Sequence, residues 1–135
     1  MSHYAQVIDT VVEQVIVAEQ DFIDSGAVGD PKNWIQCSYN TRNNIHYDSK
    51  TNLPDDGTPL RGNYPAIGWI YDKEKDIFHA PKPYPSWIFN EITLSWDSPI
   101  PIPPKNESPN LMWVWNEPSL SWVEQTGFWV EDQTN

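Results

Sequence analysis

Cysteine is nearly absent from this sequence. Its one copy, Cys37, cannot close an internal disulfide or build a cysteine zinc site. Basic residues are also scarce: eight Lys and Arg face nineteen Asp and Glu, for a formal net charge of −11. Binding to DNA or RNA needs a basic face to meet phosphate, so nucleic acid is not an expected partner. Glycine is limited to six residues, and none forms a phosphate-cradling loop. Long apolar runs are missing too; the run at 15–18 is far too short to span a bilayer. Residues 1–7 lack a basic stretch followed by an apolar one, and neither end carries a lipidation motif. The resulting expectation is a soluble intracellular product with no membrane partner.

Catalytic signatures are equally sparse. His3, His46 and His79 lie in no HxH, HExxH or nucleophile-elbow context. Cys37 sits in a strand-like run and reads as a buried, inert thiol. The oxygen-rich cluster Asp48, Asn52, Asp55 and Asp56 departs from EF-hand spacing and reads as a solvated loop. No enzyme activity, metal or cofactor is expected.

What the chain has in excess is aromatic and proline: eight Trp, six Tyr, four Phe and thirteen Pro in 135 residues. With charged residues at only 20%, this is not a disordered acidic polymer. The β-branched runs at 4–8 and 11–17 predict a strand pair around an Asp9-Thr10 turn. A period change predicts a short helix near 19–25, with Gly26 as its cap. Trp34-Ile35-Gln36-Cys37 returns to strand character. The stretch 38–63 is rich in turn formers, with a short strand at 45–47.

An internal repeat follows. Trp69-x-Tyr71-Asp72, Trp87-x-Phe89-Asn90 and Trp113-x-Trp115-Asn116 share one pattern, and seven positions after the second aromatic come Phe78, Trp96 and Trp122. A decayed fourth copy starts at Tyr47-Asp48, with Pro54 in place of the last aromatic. In a strand, residues two apart share a face, and the Asp or Asn starts a turn. The last aromatic should then return across a hairpin onto the first pair. The turn is similar to that of kelch blades, but the copies are spaced by 18 and 26 residues and no Gly-Gly pair precedes them, which excludes a propeller. Nine of the thirteen Pro fall between 81 and 118, as extended connectors or as an arm that could lie along a partner.

The expected fold is therefore mainly β: an N-terminal β-hairpin plus one short helix, then aromatic-rich β-hairpin repeats joined by Pro-rich extended connectors. Residues 1–80 form a β-rich module and 81–135 the Pro-linked Trp-rich hairpins, packed together as one domain. Eight Trp exceed what so thin a core needs, so some should face a partner. The expected contact residues are Trp87, Trp96, Trp113, Trp115 and Trp122, with the arm Ile100, Pro101, Ile102, Pro103 and Pro104.

The strings QVIVAEQDFIDSG, GDPKNWIQCSYNT, RGNYPAIGWIYD and APKPYPSWIFNEITLSW resemble a family of small proteins of tailed marine bacteriophages, chiefly cyanophages. The similarity covers about residues 4–96, and WNEPSLSW fits the same style. One departure is Asn43-Asn44, where the family pattern has a glycine pair. The resemblance implies a virion-associated protein made in the host cytoplasm, with no catalytic residues to carry over. A capsid decoration protein bound to the major capsid protein is the favoured form. A neck or tail accessory, self-association, a glycan-binding adhesin and an intracellular protein engaging a host factor are the alternatives.

Overall fold

The computed structural model describes residues 1–104 and 111–126. It is mainly β, with one short helix and a single 3-10 turn. The chain divides into two compact units: Met1–Pro81 with Phe89–Trp96, and Lys82–Ile88 with Asp97–Asn135.

The first unit is built on β1 (Ser2–Ile8), β2 (Val11–Ala18) and β3 (Trp34–Cys37). Asp9 and Thr10 both take positive φ, 51° and 70°, as a tight hairpin turn requires. Helix α1 (Gln20–Asp24) ends at Ser25, and Gly26 at φ 81° turns the chain away. Two very short strands, β4 (Thr41–Arg42) and β5 (Ile45–His46), pair around Asn43 and Asn44, again at positive φ. The left-handed tolerance of Asn serves this turn. Strands β6 (Ile70–Asp72) and β7 (Ile77–His79) complete an antiparallel five-stranded sheet in the order β3-β1-β2-β6-β7.

Alternation along β1 gives this sheet a core on each face. Tyr4 joins Ala18, Ile23 and Trp34 under the helix, and its hydroxyl donates to Gln20 Oε1 at 2.8 Å. Ala5, on the other face, joins Val12, Cys37 and Phe78, flanked by Tyr64, Trp69 and Tyr71. The Phe78 amide of β7 donates to the Arg61 carbonyl, while Arg61 Nη1 donates to the Gln36 carbonyl of β3 at 2.9 Å. One residue therefore bonds to both edge strands.

Strands β8 (Ile88–Asn90) and β9 (Ser95–Asp97) make the second aromatic hairpin. Strands β10 (Leu111–Asn116) and β11 (Ser121–Thr126) make the third, in the second unit.

Candidate interaction surface

The repeat read from sequence is a repeat of turn chemistry. In every copy the Asp or Asn side chain accepts the amide three residues on: Lys75 on Asp72, Thr93 on Asn90 and Ser119 on Asn116, at 3.0–3.1 Å. In every copy the residue four on is left-handed: Asp76 at φ 57°, Leu94 at 53° and Leu120 at 50°. The decayed copy keeps both marks. Asp48 accepts the Thr51 amide at 3.1 Å, Asn52 has φ 57°, and Tyr47 bridges to Pro54. Its first Trp, replaced by Ile45, and its cross-strand aromatic, replaced by Pro54, are lost.

The cross-strand ring pairs also form. Tyr71 faces Phe78 at 5.1 Å between ring centroids, Phe89 faces Trp96 at 5.1 Å, and Trp115 faces Trp122 at 5.3 Å. Such tilted and edge-on geometries suit the quadrupoles of the rings. Where the last ring is an indole, its N–H grips a connector: Trp96 Nε1 donates to the Ala80 carbonyl at 2.7 Å and Trp122 Nε1 to the Ile100 carbonyl at 2.8 Å.

The residues singled out for contact are sorted by these interactions. Trp87, Trp115 and Trp122 come together in the second unit as a trio of edge-on rings, with Tyr84 against Trp87. Trp115 is 5% exposed, and its Nε1 donates to Glu117, which also accepts from the Ser86 amide and hydroxyl. The bonds from Trp115 and then Ser86 hold the Glu117 carboxyl below the usual carboxylate range. Trp113 is half-buried and donates to the Pro104 carbonyl at 3.0 Å. Trp96 belongs to the first unit, beside Phe89 and His79. The arm is the open part: Pro103 is half-buried, whereas Ile100, Pro101, Ile102 and Pro104 are exposed, Ile102 at 59%.

Sequence reasoning missed the reverse face of the third hairpin. With Val114 opposite Val123 in register, Met112, Val114 and Val123 share the face away from the Trp residues. Met112 and Val123 are exposed there, and Leu120 at the turn is exposed as well. The alternation of LMWVWN carried the signal, but the Trp positions drew the reading to the other face.

Several groups with catalytic chemistry are buried or bonded to protein partners. Burial pushes the Cys37 thiol up to about 12, which keeps it protonated. His46 Nδ1 lies 2.6 Å from Asp55 Oδ1, and the Gly57 amide and His46 together hold that carboxyl low. Asp48 caps its own turn and Asn52 Oδ1 accepts from Arg42, so these two oxygens of the acidic loop are met by protein donors. Among the described residues, no group of three His, Cys, Asp or Glu is placed to hold a metal ion, and no helix is long and apolar enough to cross a membrane.

These features define a mainly β chain of repeated aromatic hairpins with an exposed apolar arm. Comparison with known protein families, characterised proteins and solved structures finds no match.

Proposed function

We propose that this protein is a non-enzymatic structural accessory of a tailed-phage particle, a capsid decoration protein that docks on the major capsid protein. It would be made in the host cytoplasm and act in the virion. The observation that carries the docking part is the uncovered apolar surface of the second unit. A two-stranded hairpin is marginal alone in water, and β10–β11 nevertheless exposes Met112 and Val123 while the adjoining arm exposes Ile100 and Ile102. The phage setting is supported by the resemblance of the sequence strings. The indoles fix the arm and hairpin from within, so that little ordering remains to be done on binding. Repeated docking on a lattice of identical sites then adds avidity.

Quantitative mass spectrometry of purified particles tests the reading. Decoration requires a copy number comparable to that of the major capsid protein. A few copies per particle would point to the neck or tail, and absence would sink the virion role. An Ile102→Asp, Met112→Asp double variant should fold and fail to bind isolated capsids.

A further inference from the structure

A second feature lies in the first unit and does not depend on the docking reading. The end of β1, the β1–β2 turn, the 3-10 turn Pro31–Asn33 and the start of the β6–β7 turn line a cleft of about 270 Å³. Val7, Ile35 and the half-buried Tyr71 supply its apolar part, while Thr10, Asn33, Lys32 and Lys73 supply its polar part. No carboxylate lines it, in a chain with nineteen.

What sets the cleft apart is two lysines on a lining without a carboxylate. Three other cations are engaged: Arg61 pairs with Asp76, Lys75 pairs with Glu91, and Arg42 lies 3.6 Å over the Tyr47 ring. Lys32 and Lys73 have no ion pair within 4.0 Å among the described residues. Asp76 accepts from the Tyr71 hydroxyl, but Arg61 already compensates its charge. Two lysines without an ion pair, on a lining that holds no carboxylate, favour an anionic guest locally. An apolar wall with an aromatic ring, flanked by a hydroxyl and an amide, suits a guest with an apolar ring face and several hydroxyls.

We propose that this cleft binds one carboxylated sugar residue, its carboxylate between Lys32 and Lys73, its ring against Tyr71 and its hydroxyls toward Thr10 and Asn33. The test is an amide-shift NMR titration of the whole chain with D-glucuronate, with D-glucose and acetate in parallel. Saturable shifts at Thr10, Asn33, Tyr71 and Lys73 are expected, with both control compounds weaker than glucuronate by about fivefold or more. Lys32→Gln and Lys73→Gln should each weaken glucuronate by about 3- to 5-fold, leave the rest of the spectrum in place, and reduce the salt dependence. Absence of saturable shifts would overturn the site. Acetate binding as tightly as glucuronate would reduce it to a carboxylate contact, glucose binding as tightly would remove the role of charge, and unchanged affinity in both variants would remove the lysines. Each of these three results overturns the proposal.

Discussion

At the residue scale, Asn63 ties more of the first unit together than any aromatic does. It is 3% exposed, and its Nδ2 donates to the Phe78 and Leu94 carbonyls at 2.8 and 3.0 Å while its Oδ1 accepts the Asn43 amide at 2.7 Å. One side-chain amide thus joins the Asn43-Asn44 turn to two aromatic hairpins, and only an amide offers two donors and an acceptor there. Asn63→Asp, nearly the same size, should lower unfolding free energy by about 2–4 kcal/mol in urea denaturation, because it presents lone pairs to two carbonyls. Thr41 is the converse case. Its hydroxyl is buried without a hydrogen-bond partner. Thr41→Val should therefore be neutral or stabilising by up to about 1 kcal/mol, measured the same way.

At the scale of the element, the hairpins depend on a side-chain cap and a strained residue. Leu120 holds φ 50° while 48% exposed, so it carries the cost of a left-handed β-carbon with little packing in return. Leu120→Gly should stabilise the third hairpin by about 0.5–1 kcal/mol. Leu94, in the same conformation, is buried at 7%, and the same change there should destabilise by about 2–4 kcal/mol through lost packing. Thermal unfolding of both variants would show opposite signs, and equal signs would refute this division between strain and burial. Leucine at both positions follows from the repeated Asn-Glu-x-x-Leu-Ser-Trp string, yet that string says nothing of which Leu is inside. The aromatic spacing made three hairpins and the decayed fourth legible. It did not reveal the left-handed position, because Asp76, Leu94 and Leu120 share no residue type that announces it.

For the whole molecule, acid pH is the informative variable. The Tyr71 hydroxyl bond and the Arg61 guanidinium hold the Asp76 carboxyl below its ordinary value. Below the unfolded value, near pH 4, the unfolded chain binds more protons than the folded one. The contribution is thus complete above about pH 4 and lost as pH falls through the folded value. Asp76→Asn, which keeps a residue tolerant of φ 57°, should lower the urea midpoint at pH 7 and show a shallower decline below about pH 4. The same contact acts at the alkaline end: burial first, then the Asp76 bond, raises the Tyr71 phenol, so that its contribution holds below about pH 10 and is lost above.

Sequence alone determined the local elements, since these rest on contacts only a few residues long. β-Branched alternation produces β1 and β2, Asp9-Thr10 closes them, and an Asp or Asn after an aromatic turns each of the three aromatic hairpins. Tertiary structure alone decided what these elements do together. The sheet order, the bonds from Arg61 to both edge strands, the junction at Asn63 and the meeting of Lys32 with Lys73 on one cleft join residues whose separation leaves no periodic trace. The same holds for the Trp residues: Trp115 and Trp122 occupy equivalent places across one hairpin, yet Trp115 is buried and Trp122 only half-buried. Burial depends on what packs over a face, and the face itself is all that spacing specifies.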